Sequence, residues 1–116
     1  MYHPVWSAFL DKQYYLCVSN EIIHEYEEII AQKTSIEFAT KLIFIILNRM
    51  NTILVNSYFR FGLIRIDPDD NKFVDCAITA NADYIVSQDT HFDVLKTIDF
   101  PKVNVIRIED FVRHLL

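Results

Sequence analysis

The sequence predicts an α/β fold, a parallel sheet flanked by helices. Three observations predict it. Short β-branched and aromatic runs recur along the chain, at residues 14–18 (YYLCV), 63–66 (LIRI), 84–87 (YIVS) and 103–106 (VNVI). Segments with helical spacing of apolar residues separate them, and strands joined through helices pair in parallel by right-handed crossovers. The chain has 116 residues, 52% of them hydrophobic and 23% charged, which suits one globular domain over residues 1–116.

Taken in order, Pro4 opens a short helix to Leu10, since proline is tolerated in a first helical turn. Residues 14–18 follow as a strand. Ser19 or Asn20 can cap a helix running to about Gln32, with Glu21 near its positive end. Ile22, Ile23, Tyr26, Ile29 and Ile30 form its apolar stripe, and Glu21, Glu25 and Glu28 fall on the other side. Thr34 with Glu37 reads as a capping box for a helix over residues 36–50, with Asn51 as C-cap. Residues 52–61 give no clear signal. The 63–66 run is closed by Asp67-Pro68, and Asp69 or Asp70 caps a helix over residues 71–80 that ends at Asn81-Ala82-Asp83. After the 84–87 strand come a short helix over residues 93–97, the 103–106 strand and a closing helix over residues 109–115.

Composition excludes several function classes. The net charge of −5 is the wrong sign for a protein that coats a duplex by neutralising phosphates. The longest apolar run, residues 42–47 (LIFIIL), is too short to span a membrane, and MYHPVWSAFLDKQ carries no secretory signal pattern, so the expected location is cytoplasmic. The single glycine, Gly62, leaves no phosphate-cradling loop. Cys17 and Cys76 sit in apolar runs and read as buried, reduced thiols, and with four scattered histidines they offer no zinc spacing.

Ligands of open parallel sheets bind beyond the carboxyl ends of the strands. Three acidic residues gather there: Glu25 in the helix after the first strand, Asp70 at the start of the 71–80 helix, and Asp89 in the turn SQDTHF. Collected carboxylates repel one another unless a cation neutralises them. Hard oxygen donors without sulfur favour Mg²⁺ or Mn²⁺, which can activate a bound water. Each residue also has an ordinary role: Glu25 on a solvated face, Asp70 as a cap, Asp89 in its turn. Ser87 can orient a ligand or simply end its strand, and Asp93, four residues after Asp89, can approach the site. Asp75 reads as a surface residue and His91 as a turn residue without a partner. The spacing of Asp67, Asp69 and Asn71 mimics a calcium loop, but Lys72 stands where glycine is required and Ile78 where the closing glutamate belongs.

Three segments, VSNEIIHEYEEII, DPDDNKFVDCAITANADYIVSQDTHF and FPKVNVIRIEDFV, resemble the PIN-domain nucleases, in particular the branch that supplies toxins of toxin–antitoxin systems. The middle segment is the specific one. The resemblance implies a Mg²⁺- or Mn²⁺-dependent ribonuclease acting on single-stranded RNA, with an antitoxin protein as partner and self-association into a homo-oligomer. Carried over residue by residue, it implies Glu25, Asp70 and Asp89 as metal-ligating catalytic acids, with Ser87 at the family's small hydroxyl position. It also implies an opening strand that ends in a further acidic ligand, of the form LDTNV, which these residues do not contain. On the resemblance, the sheet therefore lacks its first strand and the reaction is impaired. Strand donation or dimerisation across the gap would restore pairing. Arg60, Lys72 and Lys96 are the basic residues expected to approach the site. The competing expectation is a catalytically inactive PIN fold that binds a partner or itself through apolar surface such as residues 42–47.

Overall fold

In a computed structural model of the chain, residues 3–56 and 60–115 are described. Helix α1 (His3–Leu10) leads to strand β1 (Leu16–Val18), helix α2 (Asn20–Lys33), helix α3 (Ile36–Leu47) and strand β2 (Thr52–Leu54). A 3₁₀ turn (Pro68–Asp70) then runs into α4 (Asn71–Ala80), followed by β3 (Ile85–Val86), a 3₁₀ segment (Thr90–Thr97), β4 (Val105–Ile106) and α5 (Ile108–Leu115).

All strand pairing is parallel, but the described strands form two pairs rather than one continuous sheet. β1 pairs with β2 in the register Leu16 to Thr52, and β3 pairs with β4 in the register Ile85 to Val105. The helix α4 packs on both β1 and β3. Three apolar clusters fill the interior. Phe9, Ile43 and Ile46 lie under the N-terminal helices, and Val18, Ile22 and Cys76 lie between β1, α2 and α4. Ile64, Val74, Ala77, Phe92, Leu95 and Val103 fill the C-terminal half.

Local chemistry decides the boundaries. Ser19 caps α2, its Oγ accepting from the Ile22 amide at 3.3 Å. The capping box expected at Thr34 does not form. Thr34 closes α2 instead, its Oγ1 donating to the Ile30 carbonyl at 2.6 Å, and Ser35 caps α3 by accepting from the Phe38 amide at 3.1 Å. The helix α3 stops at Leu47, where Asn48 donates from Nδ2 to the Phe44 carbonyl. Asn51 is not a cap. Only 3% exposed, it donates from Nδ2 to the carbonyls of Phe9 and Tyr14, while its own carbonyl accepts from the Leu16 amide. That bond sets β1 against β2.

The stretch left unassigned, residues 52–61, begins with β2, and residues 57–59 of it lie outside the described residues. The strand expected at residues 63–66 is absent. Buried Ile64 has its main chain satisfied by one side chain: the Asn71 Oδ1 accepts from the Ile64 amide at 2.9 Å and Asn71 Nδ2 donates to the Ile64 carbonyl at 2.8 Å. An amide side chain presents the same donor–acceptor pair as a neighbouring strand, so no ladder is needed there. The 71–80 helix has the bounds expected, and Asn81 ends it in the left-handed region at φ 53°. Both cysteines are free, Cys76 buried and Cys17 partly so. Among the described residues, no helix is long and apolar enough to cross a membrane.

Candidate metal centre

The acidic centre is built on two turns. Asp67 precedes Pro68 and its carboxylate accepts from the Asp69 amide at 3.2 Å, which caps the 3₁₀ turn. Asp70 already has helical backbone angles and makes no side-chain capping bond. Its carboxylate is therefore free for other work, and the reading of Asp70 as a simple helix cap is set aside. In the second turn, Ser87 Oγ accepts from the Asp89 amide at 3.0 Å, and Asp89 Oδ1 accepts from the His91 amide at 2.9 Å. These two bonds fold SQDTH back so that the His91 ring lies over the acidic residues.

His91 is thus not the unpartnered turn residue the sequence suggested. Its Nδ1 lies 3.1 Å from Asp70 Oδ2, 3.4 Å from Asp89 Oδ1 and 3.9 Å from Asp67 Oδ2. One ligand atom from each of Asp67, Asp70 and His91 falls within 4.8 Å of the other two, close enough to share one ion. The hydrogen bond to Asp70 raises the His91 pKa above 6.5; burial opposes it, and the charges of Asp89, Asp70 and Asp67 add to the rise. Burial raises the Asp70 carboxyl above its usual value, and Asp67 and Asp89 push the same way. The His91 hydrogen bond pulls it back in part. The cation that the carboxylates require is, in the free protein, supplied in part by the imidazole.

Glu25 belongs to a neighbouring centre. Its Oε1 lies 2.7 Å from Lys72 Nζ, which is also 3.4 Å from Asp69 Oδ1. Both partners are largely buried, with side chains 14% and 23% exposed. Burial works against the Lys72 charge, yet the bonds to Glu25 and Asp69 hold its pKa above the ordinary lysine value. Lys72, expected only to approach the site, is part of it.

The remaining residues lie further out. Asp93 is exposed and pairs with Lys96 at 3.5 Å, so neither joins the cluster around His91. Arg60 pairs with Glu21 at 2.5 Å and lies 3.9 Å from Asp75, beside a 250 Å³ cavity that Lys72 and Asp69 also line. Asp75 is not a surface residue: it is 1% exposed and accepts from the Phe61 amide at 3.2 Å. Burial raises its pKa, and the amide bond and Arg60 partly offset that. Sequence reasoning missed Asp67, His91 and Lys72 as members of the two centres. The available signals were the Asp-Pro turn and the two-residue offset of His91 from Asp89, which a turn folds onto the same side.

Asp67, Asp70 and His91, two carboxylates and one imidazole with Asp89 beside the ring, are a donor set that fits a hard or borderline divalent ion, Mg²⁺ or Mn²⁺ among them. Neither the curated proteins nor the solved structures offer a match to the chain. The family model of the PIN domain, a family made up largely of nucleases, matches residues 2–91, a span that includes Glu25, Asp67, Asp70, Lys72, Asp89 and His91. That match covers more than three quarters of the sequence, and the chain belongs to the PIN domain family.

Proposed function

We propose that the chain is a divalent-metal-dependent endoribonuclease that hydrolyses phosphodiesters of single-stranded RNA, and that it acts as the toxin of a toxin–antitoxin pair. The observation that carries the chemistry is the convergence of Asp67, Asp70 and His91 from two separate turns within reach of one ion, with Asp89 3.4 Å from the same imidazole. In this reading Asp70 and Asp89 hold the ion, with Asp67 and neutral His91 completing its ligands. A bound divalent ion lowers the pKa of a coordinated water and stabilises charge on the phosphodiester. Ser87 holds the Asp89 turn in place through its hydroxyl. Glu25, held by Lys72 at 2.7 Å in the neighbouring centre, is a further acidic ligand only on the family resemblance and once Lys72 yields. Arg60, beside Glu21 and the cavity that Asp69 and Lys72 also line, supplies positive charge for an RNA phosphate. The toxin role, the antitoxin partner and self-association rest on the resemblance to that branch of the family.

The test is cleavage of a labelled single-stranded RNA with Mn²⁺ or Mg²⁺. Asp70→Asn and Asp89→Asn are expected to lower the rate by about 100-fold or more, and chelation to abolish it. Cleavage unchanged in both variants overturns the assignment. A second reading, a catalytically inactive PIN fold that serves as an interaction module, is favoured by one observation. The helix α3 leaves Ile36, Phe38, Phe44 and Leu47 at 77%, 50%, 67% and 44% exposure. Metal binding without any cleavage would favour that reading.

A further inference from the structure

Beside the cluster around His91 lies the polar cavity of about 250 Å³ that Glu21 of α2, Lys72 and Asp75 of α4, Arg60 and Asp69 line. Pockets for drug-sized ligands begin at about 300 Å³, so this one suits a single flat ring system rather than a whole nucleotide. Asp75 is its most buried residue, with its side chain 2% exposed. The Asp75 Oδ1 accepts from the Phe61 amide at 3.2 Å, but Oδ2 has only Arg60 Nη1 at 3.9 Å, beyond hydrogen-bond length. Among the described residues nothing donates to Oδ2. A carboxylate accepts through both oxygens, and one that is buried with an oxygen unused calls for a further donor. Charge at the walls selects a neutral one. A cation would meet Arg60 and Lys72, and an anion would meet Glu21, Asp69 and Asp75, so both are repelled at short range.

We propose that this cavity receives a guanine base of the RNA, whose N1–H and 2-amino group donate to the Asp75 carboxylate; the inference rests on the ribonuclease reading above. At its pairing edge guanine carries two adjacent donors, which match the two oxygens of one carboxylate. Adenine, cytosine and uracil each offer one donor group at that edge, and single-stranded RNA leaves such edges open to a protein. Lys72 spends two contacts on Glu25 and Asp69, which leaves its third N–H for the guanine O6. Arg60, with its side chain 60% exposed and held by Glu21, stands at the mouth and meets the phosphate of the same nucleotide. Asp69 borders the cavity and the next residue, Asp70, belongs to the metal centre, so the base site adjoins the cleaved bond. Asp75 thereby sets which nucleotide lies beside that bond.

Binding of nucleoside monophosphates in EDTA, followed by NMR titration of the full chain, tests this apart from cleavage. GMP is expected to bind about tenfold or more tightly than IMP, which lacks only the 2-amino group, and to shift the Phe61 amide that Asp75 holds. AMP, CMP and UMP are expected to bind no better than IMP. The RNA AAGAA is expected to bind tighter than GMP, because its chain brings further phosphates to Arg60. The reverse order overturns the proposal, since a free nucleotide is then the ligand. Asp75→Asn, with its circular dichroism unchanged, keeps an acceptor for the Phe61 amide and is expected to lose the preference for GMP over IMP. Equal binding of all the nucleotides, or an Asp75→Asn protein that still prefers GMP, overturns the proposal; if that variant does not fold, the wild-type ranking decides. A preference for GMP without Mn²⁺-dependent cleavage upholds the base site and overturns the ribonuclease reading, whereas cleavage with no base preference does the reverse.

Discussion

Two carboxylate centres sit side by side at the start of α4, and they are neutralised differently. Glu25 and Asp69 hold Lys72, a cation that stays charged throughout the physiological range. Asp67, Asp70 and Asp89 surround His91, whose pKa they raise above 6.5 and whose charge is lost once pH passes that raised value. The lysine centre is half-buried and joins α2 to α4, so it acts as a strut between the two halves of the molecule. The histidine centre is more open and lies within the C-terminal half, where a divalent ion can displace the imidazole proton. The difference teaches that one helix start can carry both a fixed and a releasable cation. Consecutive residues do it: Asp70 faces one centre, Lys72 the other, and Asn71 between them pins the backbone to Ile64.

The strongest way to break the comparison is to remove that pin. Asn71→Ala leaves the Ile64 amide and carbonyl without their partner and is expected to lower stability by about 2–3 kcal/mol, measured by urea denaturation, and to disturb both centres together. Next comes Lys72→Met, which leaves a half-buried Glu25 unpaired at a cost of about 1–2 kcal/mol. Adding Glu25→Gln is expected to recover most of that loss. If the double variant is no better than the single one, the pair is not coupled.

A smaller effect separates the centres by pH. His91 is expected to titrate above 6.5 by NMR, and Asp70→Asn to bring that value down toward 6.5. A raised pKa in the folded state means that its contribution to stability is complete below 6.5 and is lost as pH rises through the folded value. The stability gap between the wild type and His91→Gln should therefore narrow as pH rises through that range, whereas the gap for Lys72→Met stays level. The smallest effect is expected at Asp93. Its exposed pair with Lys96 contributes within ~0.5 kcal/mol, so Asp93→Asn should leave both stability and Mn²⁺ affinity unchanged. A clear fall in Mn²⁺ affinity, read by titration calorimetry, would place Asp93 in the site after all.

Much of the helical framework was legible because its signals are local. Ser19 caps α2, Asn81 ends α4 in a left-handed turn, and the 3.6-residue stripe of α3 needs no distant partner to be recognised. The strands were less so. The 63–66 run has the composition of a strand, yet the Asn71 amide takes the place of a neighbouring strand, and nothing near residue 63 announces a partner at residue 71. β2 was missed for the opposite reason: its residues are partly exposed, so no alternation of apolar and polar positions marks it. Asp75 looked like a surface carboxylate because helical position alone does not reveal that the Phe61 amide closes over it.

By itself the sequence determined the mixed helix-and-strand character, the Ser19 cap of α2 and the bounds of α4, since these follow from periodicity, caps and turn chemistry within a few residues. Only the tertiary structure decided which cation each carboxylate meets. Lys72 reaches Glu25 across 47 positions and His91 reaches Asp70 across 21. Coulomb energy depends on distance in space, and the sequence sets that distance only through the packing of α4 against both halves of the chain.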